Sequence, residues 1–125
     1  MENLEVKDVK TFVGAKNYQE SKDFYIALGW KLNFESDNLS EFELGGFRFY
    51  LQNYYEKSWC DNSMLHIIVE DVQSWYENIK AILDKESFGD ARVSPPEKQE
   101  YGALVSFVWD PSGVLLHFAQ LINEQ

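Results

Sequence analysis

The sequence predicts an α+β fold built from two copies of a strand–helix–strand–strand–strand (βαβββ) module. Three observations predict it. The same order of strand and helix patterns occurs twice, each helix pattern begins at a capping residue, and the strand patterns alternate between apolar and polar side chains. We assign the copies to residues 1–58 and 59–125, which together make a single domain of eight strands and two main helices. With 125 residues and 45% hydrophobic content, the chain can bury one core.

The first module begins with an alternating strand, VKTFVGA, at residues 9–15. Asn17 then offers a side-chain oxygen as a helix N-cap, and Glu20 three residues later completes a capping box. The helix is predicted to end at Gly29, because glycine readily adopts the left-handed conformation that closes a helix. Three strands follow, at residues 30–35, 39–44 and 47–52.

The second module repeats this order after a polar, aromatic linker near residues 53–62. Residues 64–70 alternate as a strand, and Asp71 is the predicted cap of the next helix. That helix carries one apolar face, formed by Val72, Trp75, Tyr76, Ile79, Ile82 and Leu83. A looser region around residues 91–96 comes next. Two strands finish the module, at residues 104–109 and 115–120.

The charge and composition of the chain limit its partners and its location. A net charge of −10 argues against nucleic acid or an anionic membrane surface, since both require clustered Lys and Arg, but it suits a cationic ligand. Aromatic residues make up 16% of the chain, which suits either a ligand pocket or a bulky β-rich core. The single Cys60 cannot form an internal disulfide. Since no apolar run approaches the ~20 residues of a membrane span, we expect a soluble, cytoplasmic protein.

In their order and spacing, the motifs resemble the glyoxalase/bleomycin-resistance/extradiol-dioxygenase superfamily, the vicinal-oxygen-chelate (VOC) fold. The resemblance covers nearly the whole chain and its pattern is nearest to bleomycin-resistance-like members. It is carried by VGAKNYQESKDFYIALGWKL, ELGGFRFYL, LHIIVEDVQSWYENIK, SPPEKQEYG and DPSGVLLHF. The resemblance implies curled, mixed sheets around a ligand cleft, with the helices outside. It also implies a homodimer, because pairing covers the open edges and cleft of such small curled sheets.

Period-two alternation then assigns side chains to the two faces of each strand. The more uniformly apolar sets, which include Val13, Ile67 and Phe118, are predicted to pack beneath the helices. The mixed sets are predicted to line the cleft. The predicted ligand-binding residues are Phe12, Arg48, Tyr50, His66, Phe107, Trp109 and His117. We expect at least five of these, Phe12, Tyr50, His66, Trp109 and His117, to face a common cavity.

Metal-dependent members of the superfamily use His, Glu or Gln at four equivalent strand positions. Those positions correspond here to Lys10, Tyr50, Met64 and His117. Only His117 suits a divalent ion, because a protonated lysine repels cations and a thioether is a soft ligand. Catalytic zinc usually has three protein ligands, so we predict that no metal cofactor is bound. The alternative is a divalent ion held by His66 and His117, with Glu41 or Glu43 adding a carboxylate if their strand turned that face inward.

Two further side chains have competing interpretations. Arg48 either orients an anionic group of a ligand or forms a salt bridge with Glu41 or Glu43. Asp110 is predicted to open the Asp-Pro-Ser-Gly turn by bonding its own backbone, and not to act in catalysis.

Together these features favour a small-molecule-binding protein, similar to bleomycin-resistance proteins, that takes an aromatic or cationic compound in an aromatic cleft. In such proteins the clefts lie at the subunit interface of a dimer. The alternative is a divergent metal-dependent lyase, similar to lactoylglutathione lyase, or a dioxygenase. A third class is a regulatory or interaction domain whose cleft no longer binds a ligand.

Overall fold

The computed structural model describes residues 2–122, which form nine strands and three helices arranged in two mixed sheets. The strands are β1 (Phe12–Gly14), β2 (Lys31–Glu35), β3 (Leu39–Leu44), β4 (Phe47–Gln52), β5 (Met64–Ile68), β6 (Arg92–Val93), β7 (Glu97–Gln99), β8 (Ala103–Trp109) and β9 (Leu115–Leu121). The helices are α1 (Tyr18–Ala27), α2 (Lys57–Asn62) and α3 (Val72–Lys85). Across the described residues, no helix is long and apolar enough to span a membrane.

The two sheets repeat one topology, and the predicted α+β fold class is confirmed. The first sheet has the strand order β1-β4-β3-β2, and the second has β5-β9-β8-β6 with β7 also paired to β8. In each sheet the first strand of the module pairs in parallel with the last one, so β1 lies beside β4 and β5 beside β9. The remaining pairs are antiparallel.

Both long helices begin at the predicted capping residues. The Asn17 side chain accepts a hydrogen bond of 3.1 Å from the backbone N–H of Glu20, and Asp71 accepts one of 3.1 Å from Ser74. Each bond satisfies an N–H that has no partner inside its helix. Gly29 follows the end of α1 with φ of 103°, a left-handed conformation that most side chains disfavour. The predictions of these three positions are confirmed.

One hydrophobic cluster joins both sheets to the helices. Val13 from the first sheet and Phe118 from the second are buried in it, and Ile67 packs against it half-buried. The indole of Trp75 on α3 stacks on the Phe118 ring with centroids 4.9 Å apart. The predicted assignment of these side chains to the buried faces of their strands is therefore confirmed. Because both apolar faces meet in this shared core, the mixed faces of the two sheets point away from it.

Two regions differ from the prediction. The linker contains the short helix α2, which spans the predicted boundary between residues 58 and 59. This helix has no side-chain N-cap, but its Cys60 is fully buried. It packs so closely on β1 that a Cβ added to Gly14 would lie 2.7 Å from the Trp59 ring. The looser region holds the short strand β6 and is followed by the short strand β7; both pair with β8, and the described residues contain nine strands where eight were predicted.

Candidate functional site

The outward face of the first sheet carries a small group of aromatic rings. Phe12 and Tyr50 are partners in the parallel pairing of β1 with β4, and their ring centroids lie 5.2 Å apart. Phe34 lies on the other side of Tyr50, at 6.2 Å. Phe12 keeps 45% of its surface exposed and Phe34 46%. This face therefore presents apolar area to solvent instead of to the core.

Charged side chains surround this aromatic group. Two guanidinium nitrogens of Arg48 donate to the same Asp8 oxygen, at 3.0 and 2.7 Å. Lys10 lies 3.2 Å from Asp8 and 3.7 Å from Glu41, and Glu43 lies 3.8 Å from Arg48. The bonds from Arg48 and then Lys10 lower the pKa of Asp8 to about 2. The salt-bridge interpretation of Arg48 therefore describes the structure, with Asp8 as an additional and closer partner that the sequence did not indicate.

The outward face of the second sheet carries two histidines. His66 and His117 are partners in the parallel pairing of β5 with β9, and their ring centroids lie 5.7 Å apart. Phe107 meets the His117 ring edge-on at 5.0 Å. His66 Nε2 shares a hydrogen bond of 3.2 Å with the hydroxyl of Tyr101, a residue that the sequence did not single out. This face combines aromatic area with imidazole nitrogens.

His117 has an unused hydrogen-bonding atom. Its Nε2 is shielded from solvent and finds no partner among residues 2–122. Burial, and then the neighbouring His66, lower the pKa of His117 below its usual value of 6.5, so the ring is neutral at pH 7. A neutral imidazole offers one donor and one acceptor. The Nε2 atom therefore has unused hydrogen-bonding capacity, and a ligand atom reaches it only when a neighbouring side chain moves aside.

The predicted site residues lie on both sheets. Phe12, Arg48 and Tyr50 lie on the first sheet, while the remaining predicted site residues lie on the second. Arg48 and His66 border one cavity of about 150 Å³ between the sheets. The common cavity expected for Phe12, Tyr50, His66, Trp109 and His117 stays a prediction.

Trp109 borders a different cavity of about 460 Å³ at the end of the second sheet. Its other walls come from the loop after β1, from α2, and from the segment before β6. The guanidinium of Arg92 lies 4.1 Å from the centroid of the Trp109 ring, and Lys16 Nζ lies 5.8 Å from that of Tyr55. The cavity thus lies between the two modules and shares Trp109 with the outward face of the second sheet.

The floor of this cavity is the turn that Asp110 opens. The fully buried Asp110 carboxylate accepts hydrogen bonds from the backbone N–H groups of Ser112 at 2.8 Å and Val114 at 3.0 Å, as a turn-forming aspartate does. Its other oxygen accepts the Tyr25 hydroxyl at 2.7 Å. Burial nevertheless raises the pKa of Asp110 to about 6, because desolvation outweighs these bonds.

The donor set does not fit the metal ion that metal-dependent VOC proteins hold. Among the four equivalent positions, Lys10 forms ion pairs with Asp8 and Glu41, and the Met64 side chain is 59% exposed. Glu41, the carboxylate offered by the alternative, lies beside Tyr50 on the first sheet, so it is not on the face that carries the two histidines. Within the described residues, no three His, Cys, Asp or Glu side chains come together as a metal site. The second sheet therefore supplies at most two imidazoles.

The comparisons with known proteins assign the family. Residues 9–118 match the family model described as Glyoxalase/Bleomycin resistance protein/Dioxygenase superfamily, so the chain belongs to that superfamily, as its motifs predicted. A search of curated proteins found no match.

Solved structures share the fold at low sequence identity. A bleomycin-binding protein complexed with bleomycin is 20% identical, has a TM-score of 0.75, and is matched over 95% of this chain and 100% of its own. The bleomycin-binding protein from Streptomyces verticillus complexed with copper(II)-bleomycin is 19% identical at 0.75, over 96% and 100%. Lactoylglutathione lyase from Agrobacterium tumefaciens is 11% identical at 0.65, over 93% and 95%.

Proposed function

We propose that this protein binds an aromatic or cationic small molecule in an aromatic cleft and needs no bound metal to do so. The observation that carries the proposal is the pair of outward faces, one with Phe12 and Tyr50 and the other with Phe107 and His117. Each combines exposed or half-buried rings with a few polar atoms, the composition of small-molecule sites. The net charge of −10 adds attraction for a cation and disfavours nucleic acid.

The proposal includes a homodimer, because each face is only half of a cleft. A second copy would place the first sheet of one protomer against the second sheet of the other. Large apolar side chains support this arrangement, since Phe34 is 46% exposed, Met64 59% and Ile68 63%. Exposed apolar area on this scale typically marks an interaction surface. A cytoplasmic location is also part of the proposal, in keeping with a lone cysteine that is buried and unpaired.

Relatives of similar fold support the class of ligand. Two of the structural neighbours are bleomycin-binding proteins, one complexed with bleomycin and the other with copper(II)-bleomycin. At about one fifth identity these neighbours share the fold alone, so we assign only the class of ligand, with bleomycin as a probe. A metal-dependent lyase or dioxygenase is the alternative, and the donor set described above disfavours it.

The test titrates metal-free bleomycin into the purified protein while tryptophan fluorescence is followed, with His117→Ala and His117→Gln compared with the parent chain. We expect saturable binding by the parent, about tenfold weaker binding by His117→Ala, and partial recovery in His117→Gln, since the amide restores a polar partner. Lys85→Ala, on α3 and outside both faces, is the matched control. Absence of binding by the parent, or equal binding by His117→Ala and the control, would refute the proposed site.

Two further measurements test the remaining parts of the proposal. Elemental analysis of the native protein should find no stoichiometric metal, and sedimentation at micromolar concentration should give about twice the 14.6 kDa of one chain. Near-stoichiometric metal that disappears in His117→Ala would establish the enzyme alternative instead. A mass of one chain at every concentration would exclude the shared cleft.

A further inference from the structure

The cavity of about 460 Å³ beside Trp109 has a volume within the range of small-molecule sites. Both modules contribute to it, and of the residues proposed for the cleft it shares Trp109 alone. Three of its lining residues are basic, Lys16, Lys57 and Arg92, although the whole chain has only 11 basic residues against 21 acidic ones. Asp61, Asp90 and Asp110 also line it, so basic and acidic groups are equal in number there, a higher basic share than in the chain as a whole.

Two of these three cations have no carboxylate partner. Lys57 is neutralised by Asp61, at 2.6 Å. Lys16 and Arg92 form no ion pair anywhere in residues 2–122. Instead, Arg92 stacks on Trp109 at 4.1 Å and Lys16 lies over Tyr55 at 5.8 Å. An incoming anion can thus contact Lys16 or Arg92 without displacing a carboxylate from it.

The surroundings hold these groups in place before a ligand arrives. The backbone N–H of Lys16 donates to Ser112 Oγ at 2.8 Å, which ties the loop after β1 to the turn after β8. Asp110 fixes that turn through two backbone bonds and the Tyr25 hydroxyl. A site whose frame is already ordered loses less conformational entropy on binding.

We propose that this cavity is a second ligand site and that it binds a small aromatic carboxylate. A guanidinium matches a carboxylate through paired N–H donors, and Lys16 supplies a second positive charge. The rings of Tyr55 and Trp109 provide flat apolar walls for the body of the ligand. Asp90 and the buried Asp110 also line the cavity and oppose excess negative charge, so the site favours a monoanion over a polyanion such as an organic phosphate.

The experiment uses 4-fluorobenzoate as the probe, observed by fluorine NMR in titrations of the full chain. We expect saturable binding at millimolar concentration or tighter. Arg92→Gln should weaken binding about tenfold, in line with the loss of a hydrogen bond between charged groups. Lys98→Gln is the matched control, because it removes an exposed lysine from β7, outside the cavity, and should leave binding unchanged. Asp90→Asn should strengthen binding, since it removes the opposing charge.

Further comparisons separate this site from the proposed cleft. Lys16→Gln keeps the stacked pair of Arg92 and Trp109 intact. Weaker binding of 4-fluorobenzoate by this variant therefore cannot come from lost packing of that pair. His117→Ala should leave 4-fluorobenzoate binding unchanged, and neutral 4-fluorobenzyl alcohol should bind far more weakly. The proposal is overturned if the parent does not bind the probe, if Arg92→Gln and Lys98→Gln bind it equally, or if only His117→Ala loses it. The first two results would not change the outcome of the bleomycin titration, because that titration tests the outward faces and His117.

Discussion

The buried carboxylate of Asp110 makes the stability of the protein depend on pH in a direction opposite to that of most acidic residues. An exposed aspartate titrates at 3.8, but burial raises the pKa of Asp110 to about 6. The folded chain therefore holds a proton between these values while the unfolded chain has released it. The resulting stabilisation is fully present below about pH 3.8 and is lost as the pH rises through about 6.

The substitution Asp110→Asn removes this titration and keeps most of the local bonding. The amide oxygen can accept the N–H groups of Ser112 and Val114, and the amide nitrogen can donate to the Tyr25 oxygen. At 1.36 kcal/mol for each pH unit, a pKa higher by about two corresponds to about 3 kcal/mol. We therefore expect the free energy of unfolding of the variant, minus that of the parent, to rise by about 3 kcal/mol as the pH increases from 3.5 to 7.5.

The assay is urea denaturation of parent and variant across this pH range at constant ionic strength. The difference in the free energy of unfolding between the two chains cancels the titration of the other acidic groups. Asn62→Ala, at an exposed amide on α2 that carries no titrating group, is the control and should show a nearly constant difference. The reasoning is refuted if the difference for Asp110→Asn is constant with pH, or if the variant gains stability as the pH falls.

Three other substitutions test the packing and the helix start, each by thermal denaturation followed by circular dichroism. Gly14→Ala puts a Cβ 2.7 Å from the Trp59 ring and should cost roughly 1–3 kcal/mol, and an unchanged melting temperature would mean that α2 does not pack on β1 as described. Asn17→Ala removes the cap of α1 and should cost about 1 kcal/mol, whereas Asn17→Asp should cost little. Phe118→Ala should lower the free energy of unfolding by about 3–5 kcal/mol, because its side chain is fully buried. Phe47→Ala, at a side chain that is 79% exposed, should lower it far less, and equal losses in the two variants would contradict the assignment of buried and exposed side chains.

The sequence was sufficient for the architecture because its local signals agree with one another. Strong alternation predicted the bounds of β3 and β4 as the structure has them, and the caps at Asn17 and Asp71 predicted both long helices. The helix α2 was missed because KSWCDN has neither a capping side chain nor an apolar stripe. It depends on tertiary contacts, namely the burial of Cys60 and the space above Gly14, which local patterns do not encode.

The candidate site was predictable residue by residue but not as an arrangement. Period-two alternation identified the outward faces correctly, because a side chain's face follows from its position in the strand. Whether two such faces meet depends on how the modules, or two copies of the chain, pack together, and alternation within a single strand does not encode that packing. Asp8 and Tyr101 were missed since neither lies in a patterned element, and each meets its partner from at least 35 residues away.

The parallel pairing in each module sets an order for assembly during synthesis. β1 can pair within the first sheet only after β4 has been synthesised, and all strands of that sheet are present once Gln52 has been added. In the second sheet the interior position between β5 and β8 belongs to β9, the last strand of its module. Contacts that span long stretches of chain form slowly, and N-terminal units generally fold first. A nascent chain that has passed Gln52 but has not reached residue 115 therefore contains every strand of the first sheet, while β5, once made, lacks its partner β9 and the core lacks Phe118.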